Sequence, residues 1–184
     1  MAPREKREWK CPSFEGLTPS VIDWAQLAAY IDGEGSILIN TQRWNVKGGR
    51  SKGFGLALRV TVANTDVRLM QWCKETFGGT FAEANTSKYY EGKNWKHAYH
   101  WGAPNVRGAW ILFNCLPYFK IKREQAEIGI QLQESVALTY RGYSQRVPED
   151  VKAHRIGLKQ RLLVLKSRGI NGIPVPSGPI SEAS

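Results

Sequence analysis

The fold of this chain is decided by residues 27–36, which read Leu-Ala-Ala-Tyr-Ile-Asp-Gly-Glu-Gly-Ser. An apolar helical run ends there in two acids that alternate with two glycines, and an apolar strand follows. Gly33 and Gly35 allow unusual backbone conformations, which predicts a sharp helix exit and close packing. Asp32 and Glu34 then end a buried helix, where an unpaired carboxylate is costly and a hard cation such as Mg²⁺ would offset the cost. A helix end with two solvated acids is the alternative that this stretch leaves open.

The string from Leu27 to Gly35 resembles the signature motif of the LAGLIDADG homing endonucleases, and an amphipathic turn, Val21–Gln26, precedes it. The chain departs from the signature at Ala29, where the family usually has Gly, and at Glu34, where it has Asp or Glu. Both residues keep what the motif needs, which is a small residue at a close helix contact and a carboxylate that binds metal.

Two further segments carry the resemblance. Residues 116–122, Leu-Pro-Tyr-Phe-Lys-Ile-Lys, resemble the family's PYLxxK segment, and residues 64–79 are similar to the helix between its two strand pairs. Together the matches span residues 21–140. They imply an α+β fold of order αββαββα with extra C-terminal helices, in which an antiparallel sheet forms a DNA-binding saddle.

Local patterns predict the same order of elements. Thr18-Pro19 is a helix start, with Thr as the cap and Pro at the first helical position. Alternation of apolar and polar residues predicts half-buried strands over 36–44 and 54–62. The other predicted elements are a helix to Phe77 after a cap at 64–66, strands 80–85 and 95–101, and helices 106–116, 122–140 and 148–168.

The domain organisation and the charge are uneven along the chain. We expect a loose basic arm over residues 1–17, an endonuclease domain over 18–168 and a disordered tail over 169–184. The net charge is +10 and the pI about 9.7, and residues 35–65 and 151–169 contain basic residues but no acid. Such charge favours a nucleic-acid partner, although any one cluster alone could be a solvated face.

The cysteine pattern and the hydropathy exclude several classes. Cys11, Cys73 and Cys115 show no paired spacing that would predict a disulfide framework or a zinc site, so we expect an intracellular, reducing compartment such as a bacterial cytoplasm or an organelle matrix. No stretch approaches the length of a membrane span, and the first residues lack an apolar signal core. We therefore expect no membrane partner.

The resemblance implies hydrolysis of a phosphodiester with a divalent cation, Mg²⁺ or Mn²⁺. It makes Glu34 the catalytic acid and metal ligand, with the Gly33 carbonyl as a second ligand. Asp32 matches the first acid of the motif, which has a more structural part in the family but is also a catalytic candidate. Lys122, the second lysine of the Lys-x-Lys, would stabilise the transition state, and Lys120 is the other candidate.

In the family a polar residue near the end of the second strand often orders water, and the ungapped match puts Val62 at that position. This departure puts the water-ordering role in doubt there. Asn64 and Arg68 are the alternatives that the sequence offers.

The resemblance also implies which residues meet duplex DNA. A twisted pair of strands of this width fits the major groove, where each base pair shows a distinct pattern of donors and acceptors. The candidates for DNA contact are Leu38, Asn40, Gln42, Trp44, Lys47, Arg50, Arg59, Thr61, Lys96, His100 and Lys120. The last helix, with Lys152–Arg168, would mainly contact phosphates.

The motif occurs once in this chain, whereas cutting a duplex needs two active sites. The family solves this problem in short chains by forming homodimers, which implies a roughly palindromic DNA site. The small residues Ala25, Ala28 and Ala29, with Tyr30, would form the face where the partner's helix packs. Packing within the chain is the alternative for such a smooth face.

Two other functions stay open at this point. A group I intron maturase has the same fold and would bind intron RNA, and a DNA-binding regulator would use the fold without cutting. Metal-dependent cleavage of duplex DNA distinguishes the endonuclease from both.

Overall fold

The computed structural model of the protein describes residues 9–45, 52–84, 97–139 and 147–167. The helices are α1 Val21–Glu34, α2 Val67–Phe77, α3 Asn105–Cys115, α4 Arg123–Thr139 and α5 Glu149–Lys166, and the strands are β1 Gly35–Asn45, β2 Lys52–Asn64, β3 Thr80–Glu83 and β4 Tyr99–Pro104. A short 3₁₀ turn, Leu116–Tyr118, joins α3 to the segment before α4. The predicted α+β class and the order αββαββα with extra C-terminal helices, here α4 and α5, are confirmed.

The strands form one antiparallel sheet in the order β1-β2-β4-β3. In the register of β1 with β2, Ile37 lies opposite Val60 and Leu38 opposite Arg59. The helices cover the face that carries Ile37 and Val60, and both side chains are fully buried. The other face carries Arg59 and is open, as the strand alternation predicts.

The core lies between this sheet and the helices. Its largest fully buried side chains are Trp101, Phe77, Leu27, Ile31, Ile37, Leu58, Met70, Ile111, Leu112, Ile128, Leu132 and Leu158. Trp101 donates from its indole Nε1 to the carbonyl oxygen of Gly78 at 2.7 Å, so its polar atom is satisfied inside the core.

The first helix starts two residues later than its predicted start. Ser20, rather than Thr18, is the N-cap, because Ser20 and Asp23 form a reciprocal capping box. The Asp23 backbone N–H donates to Ser20 Oγ at 3.2 Å, and the Ser20 N–H donates to the Asp23 carboxylate at 2.7 Å. Pro19 therefore precedes the helix instead of opening it.

The second strand pair also differs from the prediction. Residues 85–96 lie outside the described residues, and β4 continues beyond the predicted end at Trp101 to Pro104, because Arg59 of β2 pairs with Pro104. The sequence Gly-Ala-Pro is unfavourable for a strand, which is why the pattern placed an end there. A side chain at Gly102 would meet the guanidinium of Arg59, with a Cβ only 3.3 Å from Nε.

Residues 9–17, which we expected within a loose arm, pack against α3. The ring of Phe14 lies 5.1 Å from that of Trp110, edge to face, and the Arg107 guanidinium lies 4.0 Å over the Phe14 ring. Trp9 makes a similar edge contact with Phe113 at 6.1 Å. Residues 1–8 and the predicted tail, 169–184, lie outside the described residues. None of the described helices is long and apolar enough to cross a bilayer.

The two glycines of the motif differ in how closely other atoms approach them. Neither has a left-handed backbone. Gly35 has φ of −90° and ψ of 172°, which any residue adopts. A Cβ on Gly35 would lie 2.6 Å from the Ile31 Cα and 2.9 Å from the carbonyl oxygen of Thr61, whereas a Cβ on Gly33 would meet nothing within 4 Å. Close packing of α1 against β2 is therefore what requires Gly35.

These glycines give a matched pair of variants. Gly35→Ala should lower the free energy of unfolding by about 3 kcal/mol, because the new methyl group overlaps backbone atoms that cannot rotate away. Gly33→Ala should leave it unchanged or raise it by up to about 1 kcal/mol, because Ala favours a helix over Gly. Urea unfolding followed by circular dichroism measures both, and equal stabilities would contradict the close approach at Gly35.

Candidate functional site

The carboxylate of Asp32 ties the C-terminal end of α1 to the segment that precedes α4. It accepts backbone N–H bonds from Lys120 at 2.7 Å, Ile121 at 3.2 Å and Lys122 at 2.9 Å. Backbone amides thus satisfy this carboxylate without a cation, in the way that anions bind at a helix start. The argument that Asp32 needs a metal to offset its burial is therefore wrong, and its predicted catalytic part stays a prediction.

Lys122 completes the same junction from the other side. Its Nζ donates to the carbonyl oxygens of Ile31 at 2.6 Å, Asp32 at 2.7 Å and Gly35 at 3.0 Å. These carbonyls lie at and just beyond the end of α1, where a cation is favourable. Since an ammonium has three N–H groups, Lys122 must release or share one bond before it can reach a phosphate.

Three effects act on the pKa of Lys122. Burial lowers this pKa, the Asp32 carboxylate opposes that effect, and the positive charge of Lys166 lowers the pKa further. Lys166 stands at the last turn of α5, so the end of that helix lies close to the site. The sequence predicted phosphate contacts for this last helix but not its proximity to Lys122.

Glu34 differs from Asp32 in that it is exposed. It is the last residue of α1, and its Oε2 accepts a bond from Asn64 Nδ2 at 2.6 Å. Asn64 is itself fixed, because its Oδ1 accepts the backbone N–H of Asp66 at 2.9 Å at the start of α2. The structure thus joins the predicted metal ligand to one of the two residues suggested in place of Val62.

Val62 and Arg68 do not face Glu34. Val62 is fully buried and lies opposite Gly35 in the sheet register. The Arg68 guanidinium pairs with its neighbour Asp66, with Nη2 at 2.6 Å from Oδ2. Of the candidates for a polar group beside the acid, Asn64 is therefore the one in contact with it.

The donor set at Glu34 fits a hard divalent cation that retains water and substrate ligands. Glu34 offers an exposed carboxylate, and Gly33, the neighbouring residue, is also exposed at the end of the helix. Among the described residues no cluster of three or more His, Cys, Asp or Glu side chains is present. Mg²⁺ is typically bound by one or two carboxylates together with phosphate oxygens and water, which matches so small a set.

The open face of the sheet carries most of the residues expected to contact DNA. Asn40, Gln42, Arg59 and His100 are exposed there, while Leu38 and Thr61 are half-buried. The register places His100 opposite Ala63, on the same face as Thr61 and Arg59, which was undecided from the sequence. Lys47, Arg50 and Lys96 lie outside the described residues, as does the side chain of Trp44.

The residues of α1 expected at the dimer interface are only partly exposed. Ala29 and Tyr30 are exposed and Ala25 is half-buried, but Ala28 is completely buried in the core of its own chain. The prediction for Ala28 is wrong because the large apolar side chains of α1 determine which face of the helix points to the core. Ala28 follows Leu27 and lies four residues after Trp24, so it is on the inward face.

The sequence analysis also missed two exposed apolar residues on the outer face of α1. Val21 and Ile22 are 67% and 68% exposed, and they precede Ala25 and Gln26 by one helical turn. The recurrence of exposed pairs at 21–22, 25–26 and 29–30 is the pattern that would have identified them. Val21, Ile22, Ala25, Ala29 and Tyr30 therefore form an exposed stripe with no charged side chain.

The basic residues of α5 are partly used inside the chain. Arg155 donates from Nη2 to the backbone carbonyl of Ser135 at 2.8 Å and from Nε to its hydroxyl at 3.0 Å, and it also contacts Thr139 Oγ1. It therefore caps the end of α4, so the expectation that it contacts phosphate is wrong for Arg155.

Comparisons with known proteins bear on the fold. No protein-family profile matches the sequence. No curated protein matches it either. Among solved structures, the chain resembles the homing endonuclease I-CvuI in complex with its target, with a TM-score of 0.60 and 18% identity over 83% of this chain and 87% of that one.

Two further structures show the same similarity. The archaeal intron-encoded homing endonuclease I-Vdi141I, complexed with DNA, gives a TM-score of 0.60 and 14% identity over 83% of this chain and 89% of that one. The LAGLIDADG homing endonuclease I-GzeII, in complex with its DNA target, gives a TM-score of 0.53 and 16% identity over 91% of this chain and 54% of that one. This chain has the fold of the LAGLIDADG homing endonucleases.

Proposed function

We propose that the chain is a site-specific endonuclease that hydrolyses both strands of duplex DNA with a divalent cation and acts as a homodimer. The observation that carries the proposal is the position of Glu34. This exposed carboxylate belongs to the last residue of α1. The first residue of β1, where the open face of the sheet begins, follows it directly. A carboxylate there can hold a cation against the backbone of a duplex that lies along the sheet.

The similar structures support this proposal. I-CvuI is described in complex with its target in the presence of Ca and with the I-CreI target in the presence of Mg, and I-Vdi141I and I-GzeII are described as bound to DNA. The I-GzeII chain is about twice as long as this one, whereas I-CvuI is matched over most of its length. A short chain with one motif suits a dimer of two equal halves.

The cation, when bound, would lower the pKa of a water ligand and offset charge on the phosphate. Glu34 would supply the carboxylate that holds it, and Asn64 would fix the direction of that carboxylate through the 2.6 Å bond. Asp32 would not touch the cation, because three backbone N–H groups already occupy it. The role proposed for Asp32 is to hold Glu34 and Lys122 in place.

Sequence recognition would come from the open sheet face. Asn40, Gln42 and Arg59 have exposed polar groups that can bond to base edges in the major groove. Arg59 lies across Gly102 of β4, so its guanidinium is supported on the surface of the sheet. Lys120 is exposed beside the Asp32 junction, where it would contact a phosphate rather than a base.

Replacement of Glu34 by Gln tests the catalytic proposal. The amide keeps an acceptor for Asn64 but loses the charge that holds the cation. Cleavage of a partly randomised duplex library with Mg²⁺ should fall at least about 10²–10³-fold, the range seen when a main electrostatic contributor is removed. Glu75→Gln, which removes an exposed acid from α2, is the matched control and should cut like the wild type.

Glu34→Gln should bind duplex DNA without metal at least as well as the wild type, because this variant lacks one negative charge near a phosphate. Glu34→Gln that cuts at the wild-type rate would overturn the catalytic assignment. A wild-type protein that binds the library but does not cut it with Mg²⁺ or Mn²⁺ would favour a regulator.

Asp32 and Glu34 should differ in stability. Asp32→Asn removes the charge that accepts three backbone N–H bonds, so the free energy of unfolding should fall by about 1.5–3 kcal/mol, as for loss of a charged hydrogen-bond partner. Glu34→Gln should stay within about 0.5 kcal/mol of the wild type, as exposed substitutions usually do. Urea unfolding measures both, and an Asp32→Asn variant as stable as the wild type would contradict the structural part assigned to Asp32.

The exposed stripe of α1 predicts the dimer. Ala29→Leu adds three carbon atoms where the partner's helix would approach, so it should shift the protein toward monomer in light scattering. Ala153→Leu, at an exposed site of α5, is the control and should stay dimeric. A wild-type protein that is monomeric and still cuts both strands would contradict the proposed homodimer.

A further inference from the structure

The free edge of β1 offers a row of backbone oxygens. Among the described strands β1 pairs only with β2, so none of them occupies its other edge. Ser36 presents its carbonyl toward β2, where Thr61 Oγ1 donates to it at 3.4 Å. Backbone groups of alternate residues face opposite sides of a strand, so the carbonyls of Gly35 and Ile37 point toward the free edge.

Three lysines, one that precedes α4 and two from α5, contact β1 in order along its length. Lys122 donates to the Gly35 carbonyl at 3.0 Å, and Lys166 donates to the Ile37 carbonyl at 3.3 Å. Lys159 donates to the side-chain oxygen of Thr41 at 2.7 Å. We call Lys122, Lys166 and Lys159 the lysine row.

The dimensions of the row follow from strand geometry. At about 3.3 Å per residue, the contacts of the second and third lysines are displaced from the first by about 7 Å and about 20 Å. Two of the lysines come from one face of α5, seven residues or two helical turns apart, and α5 therefore runs antiparallel to β1. A length of about 20 Å equals the axial rise of about six nucleotides of one DNA strand.

No ion pair among the described residues neutralises the lysine row. Its partners along β1 are two carbonyls and a hydroxyl, which are neutral. Burial lowers the pKa of both Lys122 and Lys166. The charge of Asp32 acts on Lys122, and backbone amides donate to the carboxylate of Asp32. Ammonium groups that are close together, partly desolvated and not paired with acids favour an anionic ligand.

Lys152 shows the contrast on the same helix. Its Nζ pairs with the Glu149 carboxylate at 2.8 Å, so its charge is already balanced. Lys166 and Lys159 instead keep N–H groups beyond the single bond that the described residues provide for each. The row also begins beside Glu34, since Lys122 and Glu34 both adjoin Gly35.

We propose that Lys166 and Lys159 of the lysine row bind the sugar-phosphate backbone of one DNA strand where that strand leaves the catalytic centre at Glu34. This inference rests on the proposed function, because it takes the duplex on the open sheet face as given. It assigns to α5 a specific part, in which Lys166 contacts a phosphate next to the centre and Lys159 contacts one several nucleotides away.

The salt dependence of DNA binding tests the lysine row. Metal-free binding of a labelled duplex of about 30 base pairs is measured by fluorescence anisotropy from low to high KCl. The logarithm of the binding constant falls with the logarithm of salt by about 0.9 for each phosphate neutralised. Lys159→Gln and Lys166→Gln should each reduce that slope by about 0.9, and the double variant by about twice as much.

Lys152→Gln is the matched control, because it removes the same charge from the same helix, and its slope should equal that of the wild type. Lys166→Arg should restore the slope that Lys166→Gln loses. Slopes that fall equally in the control and the row variants would overturn the lysine row. So would unchanged slopes with a lower urea midpoint, which would give these lysines a structural part only.

The outcome separates the inference from the proposed function. If the row variants keep the wild-type slope while Glu34→Gln still abolishes cleavage, the DNA contact proposed for the lysine row is wrong and the proposed endonuclease function is supported. If the wild type has no affinity for duplex DNA, both are overturned. A slope loss that appears with duplex RNA and not with DNA would overturn the assignment of the DNA strand.

Discussion

The junction between Asp32 and Lys122 is the interaction on which the site depends. The carboxylate of Asp32 accepts three N–H groups of the segment 120–122, and the ammonium of Lys122 returns three bonds to carbonyls around the end of α1. Each charged group thus bonds to backbone atoms of the other segment. Because such bonds involve charged groups, they are stronger than neutral ones. They hold the end of α1, the start of β1 and the approach to α4 in one arrangement.

This junction explains why the two acids of one short motif differ so much. Asp32 accepts three backbone N–H groups of the segment before α4, so the chain itself already bonds to this carboxylate. Glu34, two residues later, leaves the helix on the opposite side and has one side-chain partner among the described residues, Asn64. Gly35 then lets β1 begin at once, because its missing side chain leaves room for the carbonyl of Thr61. The single exposed acid is thereby carried to the rim of the sheet.

Much of the fold could be predicted because its strongest patterns are local. The alternation in β1 and β2 assigned inward and outward faces before any contact was known, and the caps and glycines around α2 set its ends. The start of α1 could not be predicted in the same way, because Thr18-Pro19 and Ser20 both fit a cap. The choice depends on Asp23, whose carboxylate closes the capping box. The end of β4 was predicted too early because glycine is unfavourable in a strand. The reason for Gly102 becomes clear only in the structure, where the side chain of Arg59 crosses it.

The site was predictable by residue type and less so by partner. Glu34 and Lys122 could be named from the motifs, but the saturation of Asp32 depends on a segment about ninety residues away in sequence. The same limit applies to small residues. Ala28 and Ala29 are identical in chemistry, yet one is in the core and the other on the surface, because Trp24 and Leu27 set the phase of the helix. Composition cannot separate such neighbours, whereas the phase of the large apolar residues can.

The distribution of charge resolves two opposing needs of a protein that would hold a cation and a polyanion side by side. A cation needs an exposed carboxylate, and a phosphate backbone needs exposed ammonium groups, yet each would weaken the other if they paired. Here Glu34 bonds to a neutral amide, and the lysines along β1 bond to neutral oxygens. The acid that could have neutralised Lys122, Asp32, is already held by backbone N–H groups. Among the described residues neither Glu34 nor these lysines are held in an ion pair, so both kinds of charge stay available to a ligand on the sheet.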